Sequence, residues 1–503
     1  MQRNPGQAGA KSPCAMSDGA RHLQLWRLTN RPLGRRVHTL ALLLIVSLML
    51  APSPRTSAQG QDVGAGSLVD LTLDDAIGLA LQNNRSLLNA QLARAIQVFT
   101  LEVAEDRYSL TASFSPVVHA QREASETADI DVETGLRIET GGQFTLRWSK
   151  PVAGYEDSSG TVSLGFSQPL LRGFGADIDT ASLRMARLSE RIGALSFREA
   201  VTSVVVSTIQ AWRGLVRARR QLEIGEASME RARRQLETNR ALIEAGQMAA
   251  REILQSEADV AERELGLVET RNGVVSANFG LINILDIDSA TEVRPVETTA
   301  GRRQVLSLAE AIETALGQSP RYARALLDKE IADINLDVAE NDRLWDLSLT
   351  ADVSRGTGGG GQTTDYSAGL RLTVPLWDRG PELGLRSARA GVTTAERGLA
   401  ELRQAMDIEV RQAMHNVDVG LRKIELARQT LALAEEKIVI ERSKLEQGLS
   451  STYQLIQFEE DLVRAQNAEV DAVFDYENAL TALDRTLGTT LETWGIAVEQ
   501  IGQ

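Results

Sequence analysis

Across 503 residues the chain offers four histidines and one cysteine for imidazole or thiol chemistry, and they do not gather. Cys14, His22 and His38 fall at or before an N-terminal targeting segment, while His119 and His415 each stand alone. A metal site needs several ligands at regular spacing, and an activated nucleophile needs a base beside it. There is no Gly-x-Ser-x-Gly elbow, no Walker loop and no Cys/His metal spacing. The glycine run from Gly358 to Gly361 lacks a following Lys-Ser/Thr, so it reads as an outer loop between strands and not as a phosphate cradle. Paired carboxylates are plentiful only because the helices are acidic. The residues therefore predict no catalytic site, no metal and no cofactor, and the chain reads as no enzyme. What remains is the chemistry of surfaces, decided by which faces meet water, lipid or another chain.

Composition narrows those surfaces. Charged residues make up 24% and aromatics 4%, which suits long helices better than a large globular core. The net charge of -14 excludes nucleic acid as a natural partner. Arg31, Arg35 and Arg36 precede an apolar run, Leu40 to Leu50, of signal-peptide length. Thr56 and Ala58 are small residues spaced for cleavage before Gln59, which gives a signal peptide with an extended N-terminus over residues 1–58. Met16 is a second candidate start, and an uncleaved anchor is the alternative reading. Cleavage removes the sole cysteine, so the exported chain needs no oxidative folding. No other stretch reaches the length of a membrane helix, so a span would have to be made of strands.

The rest of the chain is one plan used twice. Leu71-Thr-Leu-Asp-Asp-Ala-Ile-Gly-Leu-Ala-Leu returns as Leu306-Ser-Leu-Ala-Glu-Ala-Ile-Glu-Thr-Ala-Leu. Val103-Ala-Glu, Ser109-Leu-Thr-Ala and Gln168-Pro-Leu-Leu return in the same order as Val338-Ala-Glu, Ser348-Leu-Thr-Ala and Val374-Pro-Leu-Trp. Glu244-Ala-Gly-Gln before Ile253 returns as Glu446-Gln-Gly-Leu before Leu455. The expected organisation is a short linker over 59–70, a first repeat over 71–290, a linker over 291–305, a second repeat over 306–488 and a tail over 489–503. Each repeat reads helix, strands, long helix, turn, helix. Strands are expected at about 109–170 and 347–376, and long helix hairpins at 176–285 and 381–487.

Proline placement supports the hairpins, because none occurs between Pro169 and Pro295 or after Pro381. Asp177 to Ala245 would run about 100 Å as one helix. Its apolar seam is Val201, Val205, Thr208, Trp212 and Leu215, close to heptad spacing. The strand segments alternate: Phe144, Leu146 and Trp148 oppose Gln143, Thr145 and Arg147, and Leu347, Leu349 and Ala351 oppose Ser348 and Thr350. Such a dyad suits a barrel with lipid outside and water inside, and it also suits a soluble sandwich. Tyr108, Trp148, Phe174, Trp345 and Trp377 are placed near strand ends, where interfacial aromatics belong. Gly141-Gly142 resembles a hairpin turn, which predicts for the first repeat a hairpin that the second lacks. Two strand groups of two to four strands are too few to close a barrel in one chain, so several copies must share it.

These residues resemble the TolC-type outer-membrane efflux protein family over Leu71 to Gly488. The resemblance is carried by the duplicated Leu-x-Leu-x-x-Ala-Ile-x-x-Ala-Leu opening, by Gln168-Pro-Leu-Leu-Arg-Gly-Phe-Gly175, and by Tyr476-Glu-Asn-Ala-Leu-Thr-Ala-Leu-Asp-Arg-Thr-Leu-Gly488. It implies a mixed α+β membrane protein, a homotrimer with a shared β-barrel in the outer membrane continued by a long periplasmic α-helical coiled-coil barrel. It implies an exit duct for small molecules, working passively with a periplasmic adaptor protein and an inner-membrane pump. The adaptor would dock on the tip turns Gly246-Gln247-Met248 and Gly448-Leu449-Ser450; the second keeps the family's Gly-Leu-Ser/Thr pattern and the first departs from it. Where some members carry aspartate rings in the pore, this chain has Gln454 and Gln457, so an acidic constriction would shift to Glu252, Glu257 or Glu459. Two other functions fit the same residues: the outlet of a type I protein secretion system, and, in another class, a structural coiled-coil protein of the envelope.

Overall fold

The computed structural model describes residues 68–119, 127–153, 160–296, 307–358 and 361–498. All belong to the unit Ala65–Gln503. The expected signal peptide, with Cys14, Met16, His22 and His38, lies outside the described residues, as do Gly359 and Gly360 of the glycine run.

The two halves repeat one order: a short strand, two helices, strands of the sheet, a long helix and its return helix. The first runs β1 (Leu68–Leu71), α1 (Leu73–Asn83), α2 (Arg85–Asp106), β2 (Thr111–His119), β3 (Thr127–Arg137), β4 (Gln143–Ala153), β5 (Gly160–Pro169), α3 (Ala176–Asp179), α4 (Ala181–Glu244) and α5 (Glu252–Leu285). The second runs β6 (Glu292–Pro295), α6 (Leu308–Gln318), α7 (Pro320–Asn341), β7 (Asp346–Gly358), β8 (Gly361–Thr373), α8 (Gly380–Glu446), α9 (Thr452–Leu487) and α10 (Thr490–Thr493). Helices α1 and α6 have 11 residues each, and α2 and α7 have 22 each. Both 11-residue helices start with a capping box, Thr72 with Asp75 and Ser307 with Glu310, which satisfies otherwise orphaned amides at the helix start.

Helices α4 and α8 are the long members, with 64 and 67 residues, or roughly 96 and 100 Å at 1.5 Å per residue. They run the full height and exchange neighbours on the way. Near the sheet the layer is ordered α2–α4–α7–α8, and toward the far end it is α5–α4–α9–α8. The exchange works because helices stack end to end. Asn84 donates to the Ile284 carbonyl at 2.8 Å and Arg85 pairs with Asp286 at 2.6 Å, seating the start of α2 on the end of α5. Gly488, at the end of α9, lies against the Gln318 carbonyl just before α7 in the same way. The layer is therefore four helices wide throughout, with α8 at one edge and α2 or α5 at the other.

The main core lies at the exchange level. Val201, Val205, Ile209 and Leu215 of α4 pack with Ala76 and Ala80 of α1, Leu281 and Leu285 of α5, and Val293 of β6. A smaller belt joins Ala311, Ala315, Met406, Val410 and Leu487. The seam Val201, Val205, Thr208, Trp212 and Leu215 is buried along its whole length.

Strands β2-β3-β4-β5-β7-β8 form one six-stranded antiparallel sheet in that order. The turn between β3 and β4 closes with Ile138 donating to the Gly142 carbonyl at 2.8 Å. Gly141 holds φ 90° there, and a methyl group on it would lie 2.5 Å from the Gly173 carbonyl, so the position requires glycine.

Four expectations need correction. The helix expected from Asp177 is broken at Thr180, because α3 ends in a tight turn before α4 begins. The stretches read as linkers contain β1 and β6, which pair in parallel; four-residue strands are too short to show a period. The stretch read as a tail is packed over its described part, since Leu491 is buried and Trp494, Ile496 and Val498 pack on the main core. One internal window, in α4, does reach the length and hydropathy of a membrane helix, but its apolar residues are those of the main core.

Candidate functional site

Three regions could do work: the sheet, the far tip of the helices and the open edges of both layers.

Register shows that the sheet has two faces of opposite character. One row carries Leu146, Leu164, Val353 and Tyr366 side by side, and the rows on either side carry Phe144, Phe166 and Ala351, then Val132, Trp148 and Val162. The opposite face carries Glu133, Arg147, Ser163, Ser354 and Asp365 in one row. Among the described residues no other element packs on the apolar face, and Phe114, Leu164, Leu370 and Leu372 are all exposed on it. Lys150 and Arg355 bound it away from the helices. Phe174, Trp345 and Trp377 lie in the connections at the helix-proximal end, with Trp377 96% exposed. Tyr108 sits at the same end, where its hydroxyl donates to the Asp179 carbonyl at 2.7 Å. Trp148 is different: it pairs with Val132 and Val162 in mid-strand, not at a strand end. β4 continues past it through Lys150 and Pro151 to Ala153.

At the tip both long helices end alike. Gly246 and Gly448 hold φ 72° and 71°. The following amides of Gln247 and Leu449 return to Leu242 and Lys444 at 2.9 and 2.8 Å, which terminates each helix with a left-handed cap. The first turn exposes Gln247 and half-buries Met248. The second leaves Leu449 74% exposed. Ser450 donates to buried Glu441, which also meets Lys444 at 3.4 Å. Above the turns, fully buried Asn239 donates to Ser256 at 2.7 Å and accepts from Gln235 at 2.8 Å, joining α4 to α5.

The residues named for a constriction do not form one group within a single chain. Gln454 is exposed, Gln457 is half-buried, Glu252 lies 3.6 Å from Arg251, and Glu257 pairs with Arg240 at 3.0 Å. Glu459 is held between two arginines: Arg231 of α4 reaches it at 2.8 Å, and Arg442 of α8 takes its other oxygen. With them, Asp259 and Arg263 line a cleft of about 270 Å³ between the two hairpins. Arg263 bonds Asp259 and Ser228, each at 2.8 Å. Burial raises the Asp259 carboxyl above its ordinary value, against the lowering effect of Arg263. Carboxylate spacing does not reveal this cross-hairpin network, because its arginines come from three helices: Arg231 of α4, Arg263 of α5 and Arg442 of α8. Among the described residues no group of three His, Cys, Asp or Glu is placed to hold a metal ion.

The edges complete the geometry. Along α8, Val419, Leu426, Leu433 and Ile440 recur every seven residues and are exposed. They lie away from the stripe Val417, Ile424 and Ile438 that packs inside the layer. At the other edge α5 exposes Leu265, Val268, Val275 and Phe279, and α2 exposes Leu92, Ile96, Phe99 and Val103. In the sheet, β2 and β8 are the unpaired edges, on the same sides as α2 and α8.

Known proteins share this arrangement. Residues 311–489 match the family model described as outer membrane efflux protein. The alkaline protease secretion protein AprF of Pseudomonas aeruginosa is 23% identical over 438 residues, covering 83% of this chain and 86% of AprF. The outer membrane efflux protein BepC of Brucella suis is 22% identical over 376 residues, covering 72% of this chain and 79% of BepC. The crystal structure of the outer membrane protein VceC of Vibrio cholerae superposes with a TM-score of 0.65 at 18% identity, over 83% of this chain and 96% of VceC. Together with the duplicated helix–strand–hairpin plan and the apolar sheet face, these likenesses point to the outer membrane with an extension into the periplasm, and the chain is similar to the TolC-type outer-membrane efflux proteins, whose family model it matches over residues 311–489.

Proposed function

We propose that the chain is one subunit of a passive exit duct, in which three copies share a membrane barrel and a helical shaft. The observation that carries this reading is the coincidence of open edges. The sheet ends in unpaired β2 and β8, and the helix layer ends in exposed apolar seams on the same two sides. Unpaired backbone is not tolerated in lipid, so the edges must close on other copies. β2 runs away from the helices and β8 runs toward them, so adjoining copies continue the antiparallel order. Heptad seams at matching heights on α8 and α5 then meet, giving a head-to-tail ring. Such a ring has a polar lumen, and any driving energy comes from partners.

In that assembly the turns at Gly246, Gln247 and Met248 and at Gly448, Leu449 and Ser450 face the periplasmic adaptor and, through it, the inner-membrane pump. Exposed Leu449 supplies an apolar anchor. Gln454 and Gln457 give a neutral constriction, while Glu459 ties the two hairpins together. The efflux reading rests on the family match and BepC; the AprF match favours a second reading, an outlet for secreted protein. A neighbouring gene for an ABC exporter, rather than a resistance-type pump, would select the second.

Electron microscopy of the detergent-purified protein tests the duct. A hollow threefold particle with a shaft of roughly 100 Å is expected. A solid rod would end the channel reading and favour a coiled-coil scaffold.

A further inference from the structure

The halves match in their two short helices and in both helices of the long hairpin, but among the described residues the first contributes four strands to the sheet and the second two. The hairpin β3–β4 has no counterpart. It could be a plug, an outer loop or part of the barrel wall.

We propose that β3 and β4 are wall strands, so that each copy lends six strands to the barrel and three copies make eighteen. This rests on the threefold duct reading. Three observations support it. First, β3 and β4 sit inside the sheet order, paired on both edges, with β2 beyond them as the free edge. Removing them from the wall would break two ladders and strand β2. Second, the hairpin keeps the alternation of its neighbours. Ile130, Val132 and Trp148 continue the apolar face, and Asp131, Glu133 and Arg147 continue the polar one. A plug in water would have no reason to match that phase. Third, its turn is fixed at the level where the other strands meet the helices. Gln168 donates to the Thr140 carbonyl at 2.9 Å, and Arg137 bonds Asp179 of α3 at 3.0 Å.

Width gives the consequence. Four helices at 8–10 Å spacing make a layer of roughly 32–40 Å. Six strands about 4.8 Å apart, tilted about 40°, span roughly 38 Å, whereas four would span only about 25 Å. The six-stranded sheet is thus as wide as the helix layer beneath it, and the ring passes from shaft to membrane without narrowing. Barrels of about 16–18 strands leave an aqueous channel. The outer-membrane end is therefore not the size filter of this duct, and Asp131 and Glu133 of each copy line its water.

Spin labels test this in full-length protein carrying Cys14→Ser, reconstituted in phosphatidylcholine vesicles. Labels go on Val132→Cys and Glu133→Cys in β3, and on Leu370→Cys and Ser367→Cys in β8. Collision rates are read with oxygen, which concentrates in lipid, and with a water-soluble nickel chelate. The expected result is alternation in both pairs, with the oxygen-to-nickel ratio several-fold higher at Val132→Cys and Leu370→Cys than at their partners. Alternation in β8 with both β3 labels open to nickel would overturn the six-strand wall and leave the duct standing. Loss of alternation in both pairs would overturn the membrane barrel itself.

Discussion

Adjacent residues in β5 should respond in opposite ways to the same substitution. Leu164 lies on the apolar face, between Leu146 and Val353 in register, near the middle of the band bounded by Lys150 and Arg355. Ser163 is its chain neighbour on the polar face, opposite Arg147 and Ser354. Arginine near the bilayer midplane of a barrel's lipid face costs about 2–4 kcal/mol, which is roughly a 30- to 900-fold loss in the folding equilibrium. Leu164→Arg should therefore lose that much per copy. With three well-separated copies the penalties add to roughly 6–12 kcal/mol. Ser163→Arg remains in lumenal water and pays only repulsion from Arg147, about 0.2–1 kcal/mol for directly opposed like charges. β5 is an inner strand, so neither change touches the edge where copies meet. The assay is folding into lipid vesicles across a urea series, read by the gel shift of the folded oligomer. Leu164→Arg should fold in small yield with an early midpoint, and Ser163→Arg should resemble the parent. Equal losses, or a greater loss for Ser163→Arg, would refute the assignment of the two faces.

Three further outcomes follow from the helical part. Gly448→Ala should cost about 1–2 kcal/mol in thermal or urea stability, because φ is 71° and a methyl there meets nothing within 4 Å. Gly488→Ala should cost clearly more, since φ is 79° and the methyl would lie 2.8 Å from the Gln318 carbonyl, a backbone atom that cannot turn aside; equal losses would show that the junction of α9 and α7 yields. Asn239→Ala should cost about 1–3 kcal/mol by leaving Ser256 and Gln235 without their partner. Hydrogen exchange should then rise in α4 and α5 near the tip and stay unchanged in the sheet. Asp259 gives a pH signature. Burial raises its folded value above the ordinary 3.8, so the folded state holds the proton longer than the unfolded one. Its ionisation therefore removes stability as pH rises from 3.8 through the raised value, and none of that loss is present below 3.8. The stability of the parent relative to Asp259→Asn should fall across that window, and parallel pH profiles would contradict it.

The sequence by itself determined whatever depends on local period and on repetition. Proline-free runs make α4 and α8 helices whatever they pack against, and the near-heptad seam from Val201 to Leu215 named the core. Alternation in Phe144 to Trp148 and Leu347 to Ala351 separated two faces, because side chains in a strand point to opposite sides whatever the strand pairs with. The tip turns were readable because only glycine holds a left-handed cap at little cost. What the tertiary structure alone decided was pairing between residues distant in the chain. No periodicity says that Glu459 is shared by Arg231 and Arg442, or that Arg85 sits on Asp286 so that α2 continues the column of α5. The strands β1 and β6 have too few residues to show a pattern and exist through each other. Alternation gave the phase of Trp148 but not its distance from the strand end, which hydrogen bonds to β3 and β5 fix. The place of the β3–β4 hairpin in the sheet was undecided for the same reason: a strand's pattern specifies which way its side chains face, and only its neighbours specify which wall it joins.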